Sequence, residues 1–112
     1  MLSSKKRRGI LLALPWILIF LLSFQSDSRI EIYNIRSYTH ATHTRIVIDI
    51  GQLREYVFNE LPSPDRIYVD IYQAKLNPIL HGKTYLVKNE YLNQIRIAQR
   101  TTSTVRVVVD IN

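Results

Sequence analysis

Three times the sequence sets an arginine four residues ahead of an aspartate inside a run of alternating apolar side chains: Arg45 to Asp49, Arg66 to Asp70 and Arg106 to Asp110. Such residues support two chemistries. A guanidinium binds carboxylates through two parallel hydrogen bonds, so a row of arginines suits a carboxylate-bearing polymer. A set of carboxylates could instead act as an acid/base group. Each aspartate, however, repeats together with its arginine, and pairing between neighbouring strands is the simpler account of the acids. An exposed pair of that kind adds only about 0–1 kcal/mol and fixes strand register. Candidate ligand-binding residues are therefore the arginines Arg45, Arg66 and Arg106. Tyr68 joins them because it lies on the same face between Arg66 and Asp70, where its ring can pack on a sugar or shield its cross-strand neighbours. Arg36 and Arg96 complete the set, since they end two equivalent strands and either present cations near the loops or keep the turns soluble.

Other reactive groups are sparse. The chain has no cysteine, no glycine-rich phosphate loop and no serine at motif spacing from a base. His40 and His43 stand in an expected loop and lack a third ligand nearby in sequence, while His81 is remote. The expectation is a non-catalytic protein with no cofactor and no metal.

The elements that position these residues follow from the alternation. Side chains along a strand point to opposite faces with a period of two. Ile46, Ile48 and Ile50 thus share one face, and Arg45, Val47 and Asp49 the other. The two later copies divide in the same way. Residues 32–36 (IYNIR) precede the first copy and residues 92–96 (LNQIR) the third, each followed by a threonine-rich stretch, so a strand–turn–strand unit occurs twice. Strands are predicted at 30–36, 44–50, 56–60, 66–72, 85–88, 91–98 and 105–112, with at most one helical turn over 74–80, where Pro78 intervenes. The predicted core is Ile35, Ile46, Ile48, Ile50, Ile67, Val69, Ile71, Leu92, Ile95, Val105, Val107, Val109 and Ile111. These features point to an all-β fold, a small pseudo-symmetric β-sandwich of two short sheets.

The first 28 residues have a different character. Lys5-Lys6-Arg7-Arg8 is followed by an apolar run over 9–22 and then by small polar residues, the order found in a secretory signal. Residues 1–28 are read as a signal peptide or an uncleaved membrane anchor helix, with 9–24 entering the membrane in the second case, and 29–112 as one domain. The formal charge of +6 falls to +3 without that segment, because four basic residues and one acidic residue lie in it. A mildly basic exported domain is not a nucleic-acid binder.

The same residues carry a family resemblance. Residues 44–50 (TRIVIDI) look like the "TRVVLDL" strand of the AMIN domain, 61–71 (LPSPDRIYVDI) like its "L..P.RLVVDL" segment, and 91–111 like its closing "v..IR.gq....tvRVVLDL". Together these segments cover essentially all of 30–112. The resemblance implies a two-sheet sandwich found at the amino end of exported N-acetylmuramoyl-L-alanine amidases and of pilus secretins, where it binds peptidoglycan and concentrates the protein at sites in the periplasmic envelope. It singles out no contact residues. Two further expectations stand beside peptidoglycan binding. One is a docking module for proteins of an envelope machine, and the other is the leading part of an amidase whose catalytic domain lies elsewhere.

Overall fold

The structure, a computed structural model, describes residues 27–112. The expected leader therefore lies outside the described residues, apart from its last two positions. Among the described residues no helix is long and apolar enough to cross a membrane.

Among the described residues eight strands follow in order: β1 (Ile30–Thr39), β2 (Thr44–Ile50), β3 (Tyr56–Leu61), β4 (Arg66–Tyr72), β5 (Ala74–Leu76), β6 (Thr84–Leu86), β7 (Leu92–Thr101) and β8 (Thr104–Ile111), with one 3-10 turn at Pro78–Leu80. They form a three-stranded sheet, β2-β1-β5, and a five-stranded sheet, β3-β4-β8-β7-β6. The all-β sandwich expected from alternation is what forms.

The duplicated unit is visible in the register. In the hairpin β1–β2, Ile35 faces Ile48 and Arg36 faces Val47, with an irregularity between Ile32 and Asn34. In β7–β8, Ile95 faces Val109 and Arg96 faces Val108, with an irregularity between Leu92 and Gln94. One hairpin contributes to each sheet, which is the source of the pseudo-symmetry. The copies differ at the tip, where β1–β2 closes through 40–43 and β7–β8 through only 102–103.

The segment after β4 departs from expectation. Residues 74–80 hold a short strand that runs parallel to β1, with Ile30 opposite Ala74 and Ile32 opposite Leu76, before the 3-10 turn begins. Gln73 makes this possible: at φ 52° it turns the chain out of the five-stranded sheet and into the other. The Gln99 side chain then secures β5, accepting from the Leu76 N–H at 2.9 Å and donating to the Ala74 carbonyl at 3.0 Å. Such a strand is three residues long and cannot show a period. The strand predicted at 85–88 is also displaced, because β6 covers Thr84–Leu86 and the Lys88 backbone takes φ 50° in the next turn.

The core lies between the two hairpins. Ile32, Ile95 and Val105 are fully buried, and Ile35, Ile71, Leu92, Val107 and Val109 join them as predicted. Burying each such side chain contributes about 1.5–3 kcal/mol. Ile30, Ile32, Ala74, Leu76, Leu80 and Ile97 are core residues beyond the prediction. By contrast Ile46, Ile48, Ile50, Ile67, Val69 and Ile111 point inward but are only partly buried against the core. The reason is the unequal strand count: the smaller sheet does not reach far enough to cover β3 and the adjoining side of β4, and an apolar cleft remains, lined by Ile46, Ile48, Phe58, Ile67 and Val69.

Candidate functional site

Strands β4 and β8 lie antiparallel with Arg66 opposite Asp110 and Asp70 opposite Arg106. The four-residue spacing thus brings an arginine and an aspartate together at both ends of one ladder, on the outer face of the five-stranded sheet. The two ends resolve differently. At one, Arg106 forks onto Asp70, with Nε to Oδ1 at 2.7 Å and Nη2 to Oδ2 at 2.9 Å, and Arg100 adds Nη1 to Oδ2 at 3.0 Å. Asp70 is only 4 % exposed, which corrects the expectation of a fully solvated pair. The strand position places its carboxylate under the two guanidinium groups rather than in water. The Arg106 hydrogen bond holds that carboxyl below the usual range, against the opposing effect of burial.

At the other end Asp110 is claimed from β7. Arg96 reaches it with Nε and Nη2, both at 2.9 Å, and Gln94 donates through Nε2 at 2.7 Å. These hydrogen bonds, that of Arg96 first, hold the Asp110 carboxyl low. Arg66, the direct register partner, has no ion pair among the described residues and donates only through Nε to the Pro64 carbonyl at 3.4 Å. Its charge remains available.

Between the two ends lies Tyr68, with the Arg106 guanidinium 4.1 Å from its ring centroid. That contact uses one aromatic face, consistent with shielding a cross-strand neighbour, and is worth about 0.5–1 kcal/mol where exposed. A shallow depression of about 330 Å³ is lined here by Arg66, Tyr68, Arg96, Arg100, Arg106 and Val108.

The opposite outer face repeats the arrangement on β1 and β2. Arg36 forks onto Asp49, with Nε to Oδ2 at 2.8 Å and Nη2 to Oδ1 at 2.7 Å, and donates through Nη1 to the Tyr38 hydroxyl at 2.9 Å. Asp49 and the Tyr38 hydroxyl raise the affinity of Arg36 for its proton. Arg45 stands directly opposite Tyr38, its guanidinium 5.1 Å from that ring, and forms no ion pair among the described residues.

The six expected residues are thus divided. Arg66, Tyr68, Arg96 and Arg106 come together on one face, whereas Arg36 and Arg45 occupy the other. Arg36 and Arg96 do not end their strands near loops as expected: β1 continues to Thr39 and β7 to Thr101, so both arginines lie within the sheet and clamp an aspartate. The same early ending concealed Tyr38 and Arg100, which follow Arg36 and Arg96 at the strand period. Extending the alternation by two and four residues would have found them. His40 and His43 stack with ring centroids 4.5 Å apart, and no cluster of three or more metal-binding side chains occurs among the described residues.

Comparison with known proteins identifies the domain. The AMIN domain family matches residues 31–112, all of the sandwich except Ile30. The chain belongs to the AMIN domain family. Among its relatives are two proteins named N-acetylmuramoyl-L-alanine amidase AmiC. That of Neisseria meningitidis serogroup B is 33% identical over 72 residues, which is 62% of this chain and 17% of the relative. That of Escherichia coli O6:H1 is 24% identical over 83 residues, 72% of this chain and 20% of the relative. The chain therefore spans about a fifth of the length of these amidases. The AMIN domain, which accounts for residues 31–112, is a non-catalytic domain.

Proposed function

We propose that this AMIN domain is a non-catalytic cell-envelope targeting module that binds peptidoglycan through the outer faces of its two sheets. One observation carries the reading: on each face an arginine with no ion pair among the described residues, Arg45 or Arg66, shares the surface with a tyrosine and with arginines whose charges are fixed by aspartates, Arg36 on one face and Arg96, Arg100 and Arg106 on the other. Peptidoglycan presents sugar rings joined to carboxylate-bearing peptides. A guanidinium can take the carboxylate bidentately, and a tyrosine edge or face can pack on the sugar. The relatives' name refers to the N-acetylmuramoyl-L-alanine linkage of that polymer. The charged leader at residues 5–22 supports export to the periplasm, with residues 9–24 held in the membrane should the leader remain.

The residues divide into two roles. Arg45 and Arg66 receive the ligand, while Arg36, Arg96 and Arg106 hold the sheet surface in shape and lend positive potential. Retention on purified sacculi tests the reading. The protein should sediment with sacculi at moderate salt, and Arg45→Ala with Arg66→Ala should reduce retention without lowering the melting temperature. Retention no greater than that of a similarly charged unrelated domain overturns it.

A further inference from the structure

The four edges of the two sheets are not equally guarded. β5 has its Leu76 N–H and Ala74 carbonyl bound by the Gln99 side chain. β6 is three residues long, and β2 carries Arg45 and Asp49 near its ends. β3 is the exception. All six of its residues are exposed, and Tyr56, Val57, Phe58 and Leu61 are large apolar side chains among them, Tyr56 at 56 % and Phe58 at 53 %. It has no lysine, no internal proline and no bulge, and of the devices that normally prevent edge pairing it has only one inward-facing charge, Glu60.

The register shows what this edge can accept. The Tyr72 N–H donates to the Glu55 carbonyl at 3.0 Å, so Glu55 and Tyr72 form a hydrogen-bonded pair in the β3–β4 ladder. Such pairs alternate along antiparallel strands. Val57, Asn59 and Leu61 therefore direct their backbone groups at β4, while Tyr56, Phe58 and Glu60 direct theirs away from the sheet. Those same three residues share the inward face, opposite Ile71, Val69 and Ile67.

We infer that β3 pairs with β3 of a second copy of this chain, antiparallel about a twofold axis through Phe58. Opposed residues in an antiparallel ladder point to the same face, so a symmetric pairing needs register partners of equal parity. Placing Phe58 against Phe58 meets that condition and sets Tyr56 against Glu60. It also makes the outward backbone groups of residues 56, 58 and 60 the hydrogen-bonded positions, so none is left unpaired within the strand. The two Phe58 rings then meet across the axis, and the Tyr56 hydroxyl comes within reach of the carboxylate of Glu60 in the other copy, the one charge the new edge would otherwise bury. The apolar cleft beneath β3, lined by Ile46, Ile48, Ile67 and Val69, gains a wider roof. The axis is perpendicular to the joined sheet, so both Arg66 faces emerge on the same side, arranged for an extended polymer.

The chain contains no cysteine, which permits a clean register test on the full chain purified in a mild non-ionic detergent and oxidised with copper phenanthroline. In a hydrogen-bonded pair the Cα atoms are about 5.5 Å apart, inside the span of roughly 4.4–6.8 Å that a disulfide bridges. Phe58→Cys should run mostly as a covalent dimer. Glu60→Cys should not, since its two copies stand four residues out of register, about 13 Å apart. The double variant Tyr56→Cys with Glu60→Cys should cross-link again. Adding Glu60→Pro to Phe58→Cys removes an outward N–H while leaving the β3–β4 hydrogen bonds intact, and the covalent dimer should be lost. Equal cross-linking at 58 and 60, a head-to-tail ladder of higher oligomers, or a Phe58→Cys chain that stays monomeric or links only to another protein overturns the inference.

Discussion

Replacing Arg106 by alanine separates the structural arginines from the available ones. In the folded protein Arg106 supplies two of the three charge-assisted hydrogen bonds to Asp70, whose side chain is 5% exposed. Removing one member of a buried pair costs about 3–5 kcal/mol, because the remaining charge keeps its desolvation penalty. Arg100 still reaches Asp70 at 3.0 Å and is itself half exposed, which places the loss near the lower end, about 3 kcal/mol. For a domain of this size that lowers Tm by roughly 12–24 °C. Arg66→Ala removes no ion pair and should change stability by no more than about 0.5 kcal/mol. Thermal unfolding followed by circular dichroism measures both. The pH dependence adds a second check. The folded-state pKa of Asp70 is depressed, so its contribution is fully present above the unfolded value of about 3.9 and is lost as pH falls through the folded value. The gap between wild type and Arg106→Ala should therefore be widest near neutrality and narrow below about pH 4. Equal melting of the Arg106 and Arg66 variants, or a gap unaffected by acid, would refute the division of roles.

Three other substitutions probe what holds the sheets together. Asn89 accepts from the N–H groups of Tyr91 and Leu92 and donates to the hydroxyls of Thr39 and Thr44 at 3.1 and 2.8 Å; Asn89→Ala should cost about 2 kcal/mol in urea unfolding, since it loosens a turn and an inter-sheet tie together. Gln99→Ala exposes the edge of β5 and should cost about 1–2 kcal/mol, with faster hydrogen exchange at the Leu76 amide as the specific readout. Ile95 is fully buried, and Ile95→Ala should lower unfolding free energy by about 2–5 kcal/mol.

How much of this was legible depended on whether a feature could express a period. β2, β4 and β8 are seven or eight residues of clean alternation, and their inward and outward faces were assigned correctly from Ile46, Val69 and Val107 through to Arg45, Asp70 and Arg106. The depth of burial was not legible, because alternation identifies a face and not what covers it. Ile46 and Ile67 point inward yet line an open cleft. β5 was missed because three residues carry no pattern, and its stability comes from Gln73, Gln99 and β1, which are distant in sequence or conformationally unusual. Arg100 and Tyr38 were missed for a simpler reason. A polar strand end next to a turn reads as loop, although both residues continue the outward period of Arg96 and Arg36.

The three repeats also show why identical motifs do different work. An arginine at the head of R-x-x-x-D is available only if no aspartate in the neighbouring strand lacks another partner. Asp49 and Asp110 are taken by Arg36 and Arg96, the arginines of the preceding strand in each duplicated hairpin. That leaves Arg66 without an ion pair among the described residues, and Arg45 has none there because β1, its one neighbouring strand, sets Tyr38 opposite it and contains no aspartate. Asp70 belongs to the middle copy, whose preceding strand β3 offers Asn59, opposite Tyr68, where the other two hairpins set Arg36 opposite Val47 and Arg96 opposite Val108, so it draws Arg106 from across the β4–β8 ladder. The pairing pattern is thus set by which strand precedes each copy. It follows that introducing an arginine at Asn59, opposite Tyr68 and two residues from Asp70, should compete for Asp70 and release Arg106, turning a structural cation into an available one and raising retention on an anionic polymer, and retention equal to that of the unaltered protein would refute the rule.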